Sequence, residues 1–391
     1  MMLSPEVLFS VVVIYFAVLM FISWWTGKKA DNADFFIGGR QSNWLLVAIG
    51  MIGASLSGVT FISIPGAVGA TPEFMEQMTG TYKVNPNISF SYMQMVFGYL
   101  VGYLVIATVL MPLYYRLNLT SIYGFLEERF GFWSYKTGAA FFQLSRLIGS
   151  SFRLYLVAIV LQRFVLSAFG IPFWITVLIT LALIWVYTYR GGIKTIVITD
   201  TIQTVAMLVA VGLTIYTIGN SLGYDIPGTF EAVYQSEYSR IFFFDGGWED
   251  PNNFFKQFIS GALIALVMTG LDQDMMQKNL SCKSLKDAQK NMLVFSIILV
   301  FANLLFLSLG ALLYMYASSI GLEVPLQTDQ LYPSIALNNL PAITGIVFFI
   351  GLIAAAYSSA DSALTSLTTS FCVDFLDMEK KDVGADSTRK T

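Results

Sequence analysis

Long apolar runs separated by short polar segments organise this chain. Nine stretches, at about 6–26, 43–70, 86–114, 136–167, 171–189, 195–219, 254–276, 290–317 and 340–373, approach or exceed the ~20 residues that a helix needs to cross a bilayer. They predict an α-helical membrane bundle. The polar positions inside these runs carry the chemistry. In 354–369, Ser358, Asp361, Ser362, Thr365, Ser366 and Thr369 recur at i, i+3, i+4, i+7, i+8 and i+11, so they share one helical face. A carboxylate at membrane depth is costly unless it pairs, reaches water or holds an ion, and this stripe reads as a cation path.

The second run is rich in residues that interrupt a helix. It carries Gly50, Gly53 and Gly58 with Ser55, Ser57, Thr60, Ser63 and Pro65 near mid-membrane. One reading is a broken helix whose freed carbonyls face an ion or solute. The other is a small-residue packing face. A further internal acid, Asp200, follows the tight turn Tyr189-Arg190-Gly191-Gly192-Ile193-Lys194 and lies beside Thr199, Thr201 and Gln203. It either faces the bundle interior with those polar groups or complements a helix amino terminus. In Gly270-Leu271-Asp272-Gln273-Asp274-Met275-Met276-Gln277-Lys278, the sequence places Asp274 and Lys278 as interfacial caps and Asp272 and Gln273 deeper, along a permeation path. Arg146 and Arg153, seven residues apart, share a face of their helix; they either bridge to an internal acid or receive an anionic solute.

Composition sharpens this picture. Of 391 residues, 56% are hydrophobic and 12% charged, against roughly 25% charged in soluble domains. The chain is therefore an all-α polytopic membrane protein, with a lipid bilayer as its surroundings. Alternating loops put sixteen Lys/Arg on one side and two, Lys83 and Arg240, on the other. The positive-inside bias predicts an amino terminus outside and a carboxy terminus in the cytoplasm, in a cell inner (plasma) membrane. The acidic loop 220–253 falls outside. The absence of histidine weakens readings as a proton relay or a zinc enzyme. Cys282 and Cys372 fall toward the cytoplasmic side and predict no disulfide. With a net charge of −3, no nucleic-acid partner is implied.

Four segments together resemble the sodium/solute symporter family, which includes sodium–glucose, proline, pantothenate, iodide and sialic acid transporters. They are Ser57-Gly-Val-Thr-Phe61; Pro112-Leu-Tyr-Tyr-Arg116 with Thr120-Ser121 and Leu126-Glu-Glu-Arg-Phe-Gly131; Gly191-Gly-Ile-Lys194 with Thr199-Asp-Thr-Ile-Gln203; and Ala355-Ala-Tyr-Ser-Ser359. The resemblance implies a LeuT-type inverted-repeat bundle. An extra helix at 6–26 would precede a first repeat at about 43–219 and an incomplete second repeat at about 254–373. The chain would form one transporter domain, 1–378, followed by a cytoplasmic tail, 379–391. By this resemblance, the last two helices of the ten-helix core would lie beyond residue 391.

By motif position, the resemblance implies a sodium site made of the carbonyls of Gly53, Leu56 and Ala355 with the hydroxyls of Ser358 and Ser359. Neutral oxygen ligands suit a hard cation that must also leave. Some relatives hold a second sodium between the counterpart of Asp200 and hydroxyls at Ser358 and Ser362. Here Asp361 stands where they have serine, which implies altered ligation. Solute contacts would come from Ser57, Thr60, Phe90, Gln94, Arg146, Arg153, Asp272 and Gln273. The expected activity is Na+-coupled import of a small organic solute by alternating access. The two arginines favour an acidic sugar such as sialic acid or another carboxylate. A neutral-sugar symporter and a non-transporting sensor or inactive fragment are the alternatives. No nucleophile–base pair or metal cluster supports an enzyme.

Overall fold

A computed structural model describes residues 4–27, 32–71, 75–76, 80, 88–189 and 192–378. Lys28, Lys29, Lys83, Arg190, Gly191 and the 379–391 tail, which enter the sidedness, turn and domain expectations, lie outside the described residues. All nine predicted stretches are helical. We label the principal helices α1 (Pro5–Gly27), α2 (Trp44–Ser55), α3 (Gly58–Ala67), α4 (Tyr92–Arg116), α5 (Phe132–Phe164), α6 (Phe173–Thr188), α7 (Gly192–Ser221), α8 (Phe254–Gly270), α9 (Gln273–Leu280), α10 (Leu285–Ser319) and α11 (Ala342–Phe375).

Six of these helices are long and apolar enough to span a membrane singly. The bent pairs α2–α3 and α8–α9 raise the total to eight. The remaining stretch, 171–189, forms the shorter apolar helix α6 of 16 residues. Large apolar side chains face outward, such as Ile14 on α1, Phe141 and Phe152 on α5, and Trp174 on α6. Lipid is the solvent in which such a surface is stable.

The 60° bend between α2 and α3 falls at Leu56 (φ −89°, ψ 51°) and Ser57 (φ −42°, ψ 168°). Asn43 starts α2 by accepting a 2.9 Å hydrogen bond from the Leu45 amide. The helix ends with Leu56 N donating to the Ile52 carbonyl at 2.7 Å. Beyond that bond the carbonyls from Gly53 onward lack a donor one turn ahead within α2. Small residues let neighbours close on the break. A Cβ on Gly58 would lie 3.1 Å from Cα and Cβ of Ala356 on α11, so the amino end of α3 touches that backbone.

The second bend, 65°, falls at Leu271–Asp272. A π-helical turn, Leu266–Gly270, closes α8, and Asp272 restarts the chain as α9 by accepting from the Met275 amide at 3.2 Å. The bend turns α9 inward, and every α9 residue is buried. Asp274 and Lys278 are therefore core residues, correcting their placement as interfacial caps.

Candidate functional site

The α2–α3 break, α7 and α11 meet around the expected sodium ligands. The Gly53 amide donates to Thr204 Oγ1 on α7 at 3.0 Å, and a Cβ on Gly53 would collide with that hydroxyl while lying 3.3 Å from Ser358 Oγ. Ala355, Ser358 and Ser359 are all buried. Ser359 Oγ has no hydrogen-bond partner among the described residues. A buried hydroxyl without a partner is costly, and a cation is one group that satisfies its lone pairs. The donor set is hydroxyls, the helix-end carbonyls of Gly53 and Leu56 and the Ala355 carbonyl of α11, neutral oxygens that fit an alkali cation.

One turn away stands Asp200, fully buried on α7. Ser358 donates to its Oδ1 at 2.6 Å, while Lys278 Nζ on α9 lies 2.6 Å from Oδ2 and Ser362 Oγ 3.4 Å from the same atom. Asp361 is not brought into this cluster by any direct bond. It accepts from Tyr187 Oη on α6 at 2.7 Å and from the Ser362 amide at 2.6 Å. The stripe read as a continuous cation path is thus divided: Asp361 is held by an aromatic hydroxyl, Ser366 bonds back to the Ala363 carbonyl, and Thr369 accepts from Gln277.

On the other side of the α2–α3 break lies a cavity of about 220 Å³. Ser57, Thr60, Arg146 and Arg153 line it, together with Asp274 and Asn303. Tyr92, Tyr99 and Tyr103 add an aromatic wall. Their spacing of i, i+7 and i+11 on α4 is a signal in the sequence for one shared face. The two arginines differ in their surroundings. Arg146 is clamped by Asp272 at 2.5 Å and Asp274 at 2.8 Å. Arg153 makes no hydrogen bond or ion pair among the described residues. The remaining expected solute contacts lie elsewhere. Gln94 is buried, accepting from the Phe243 amide at 3.0 Å and donating to the Asn252 carbonyl at 2.9 Å, so it binds the 220–253 loop to α4. Phe90 is buried, and its amide donates to the Arg240 carbonyl of that loop at 3.0 Å. Gln273 accepts from the Ile122 amide and donates to the Thr120 carbonyl, both at 2.9 Å. Asp272 is committed to Arg146 and to capping α9.

Comparison with known proteins agrees with this architecture. The sodium/sialic acid symporter NanT of Aliivibrio fischeri is 24% identical over 379 residues, covering 94% of this chain and 69% of its own length. The human sodium/iodide cotransporter is 25% identical over 381 residues, with 93% of this chain and 54% of the relative covered. A solved structure of a Na+-coupled sialic acid symporter in a substrate-bound outward-open state superposes with a TM-score of 0.79 at 20% identity, covering 98% of this chain and 76% of the other. It is a LeuT-type fold. A sequence model described as the Sodium:solute symporter family matches residues 35–389, and the chain belongs to that family.

Proposed function

We propose that this chain is the transport core of a sodium-coupled importer of small organic anions. Sodium is here a co-transported ion, cargo and not a resident cofactor. The reading rests above all on Arg153: a guanidinium with no hydrogen bond or ion pair among the described residues, lining the cavity beside the helix break. A cation in that setting favours a carboxylate or similar anion. The relatives' names point the same way, since sialic acid, iodide and monocarboxylates are all anions. The bends at Leu56–Ser57 and Leu271–Asp272 support an organisation in two repeats that each begin with a broken helix. Charge sidedness supports an amino terminus outside and a carboxy terminus in the cytoplasm.

In this reading Gly53, Leu56, Ala355, Ser358 and Ser359 bind sodium on one side of the break. Ser57, Thr60 and Arg153 meet the solute on the other. Because both ligands hold one break, each raises the other's affinity by the same factor. The test is the thermal stability of the purified chain in sodium and in potassium, across monocarboxylates, sialic acid, neutral sugars and amino acids. A sodium-specific rise, enlarged by an anion only, is the expected result. Enlargement by a neutral sugar alone would refute the anion assignment, and no sodium-specific rise would refute the coupling.

A further inference from the structure

We propose that the ε-ammonium of Lys278 is the built-in occupant of the second cation site around Asp200, so that this chain binds a single sodium ion. The proposal deepens the sodium-coupled reading above and depends on it. Its observations are independent of the solute cavity.

The geometry around Asp200 is that of a filled site. Both carboxylate oxygens are engaged, Oδ1 by Ser358 at 2.6 Å and Oδ2 by Lys278 Nζ at 2.6 Å with Ser362 Oγ 3.4 Å away. Asp200 and Lys278 are 0% and 1% exposed at their side chains, so water completes neither shell. An ammonium at that position supplies the positive charge and the donors that the carboxylate needs. A sodium ion placed on the same oxygens would stand within contact distance of Nζ, and two like charges in a low-dielectric interior repel strongly. A second carboxylate would be needed to hold both cations. Asp361 is the nearest candidate by sequence, yet it is turned to Tyr187 Oη at 2.7 Å and to the Ser362 amide. Asp274 and Asp361 act on this lysine only through space, and Asp200 alone touches it; the contact site therefore holds one carboxylate and one cation, and that cation is covalently tethered.

Ser358 gives the arrangement a consequence for the principal site. Its hydroxyl proton is committed to Asp200, which leaves its lone pairs as the acceptors that a cation near Gly53 would meet. The tethered ammonium fixes Asp200, and Asp200 fixes Ser358. A transported ion in that position would have to bind before the principal site is set; a lysine removes that step.

The test is direct ²²Na⁺ binding to the purified full chain, with stoichiometry and Hill coefficient measured together. The native chain is expected to bind one sodium with a Hill coefficient near one. K278A exposes Asp200 and is expected to bind two, with the Hill coefficient rising above one. The double variant D200N/K278M removes the pair without leaving a buried charge and is expected to keep a single ion. Two sodium ions on the native chain overturn the proposal while leaving sodium coupling intact. A folded K278A that still binds only one also overturns it, because Asp200 would then be no cation site. Should K278A not fold, the native stoichiometry and the double variant decide alone. Sodium binding by none of the three overturns the coupled reading and this proposal with it.

Discussion

Arg146 and Arg153 lie on one helix and line one cavity, yet the structure gives them opposite tasks, and replacing each by methionine separates them. Removing Arg146 leaves half-buried Asp272 and buried Asp274, now 2.5 and 2.8 Å from its guanidinium, without the cation that pairs with them directly. Breaking a buried pair from one side costs about 3–5 kcal/mol. Unfolding entropy of about 2.1 cal/mol/K per residue gives about 0.8 kcal/mol/K for a chain of this length, so R146M should lower Tm by roughly 4–6 °C. Removing Arg153 orphans no described partner, and R153M should keep Tm within about 1 °C. Its loss appears only with solute present. A charge-assisted hydrogen bond contributes about 1.5–3 kcal/mol, equivalent to roughly 10- to 150-fold in Kd. At a solute concentration near 100 Kd the native chain gains about 2.7 kcal/mol; with Kd raised about 30-fold the gain falls to about 0.9 kcal/mol. Scanning fluorimetry in sodium, with and without the anion identified by the solute panel, reads both quantities. Full anion stabilisation retained by R153M would refute the solute role, and an unchanged Tm in R146M would refute the structural one.

Other consequences are equally specific. S359A should leave Tm in sodium-free buffer unchanged, because its hydroxyl has no partner to lose, while raising the sodium needed for half-maximal stabilisation by about 5-fold or more; an unchanged sodium titration contradicts its assignment as a ligand. G58A places a methyl 3.1 Å from the Ala356 backbone and should cost about 1–3 kcal/mol through separation of α3 from α11, with weaker sodium binding; wild-type values for both Tm and sodium titration contradict this contact. Cys282 lies in the turn after α9, where burial pushes its thiol up to about 12, against about 8.5 for an exposed cysteine. The folded chain should therefore show slow Cys282 alkylation with no rise between about pH 7 and 9, and rapid alkylation once denatured. Fast labelling of the folded chain at pH 8 contradicts the burial.

What could be read from the sequence was whatever depends on neighbours along the chain. Hydrophobic runs of spanning length located the helices, and the glycine and serine cluster of 50–66 offered a broken helix, with the bend itself falling at Leu56–Ser57. Asp200 was identified as internal from the polar residues around it. What depends on partners far away was not readable. Lys278 follows a hydrophobic run, where a lysine ordinarily marks the interface; only the 65° bend at Leu271–Asp272 returns it to the core and to Asp200, 78 residues away. Asp361 shares a helical face with Ser358 and Ser362, but its partner Tyr187 comes from α6, 174 residues away. Gln94 has a side chain suited to binding a sugar, and the returning 220–253 loop takes up its hydrogen bonds instead. The difference between Arg146 and Arg153 likewise follows from Asp272 and Asp274 at the start of α9 reaching Arg146.

The element that ties these observations together is α9, only eight residues long. Its first turn supplies Asp274, which lines the solute cavity and holds Arg146; its last turn supplies Lys278, which holds Asp200 and through it Ser358. Between them Gln277 donates to Thr369 at 2.7 Å, joining α9 to the carboxy-terminal half of α11. Coupling between two sites requires a packed element whose position both ligands bias. A helix anchored by buried ion pairs at both ends cannot shift one end while leaving the other in place without breaking a pair, at a cost of several kcal/mol. Under the proposed assignment, a solute at Arg153 and a sodium ion at Ser358 and Ser359 would therefore act on neighbours of one rigid piece. On this argument coupling is carried by displacement of α9 as a unit, with the Asp200–Lys278 pair intact through the cycle, rather than by exchange of a second ion.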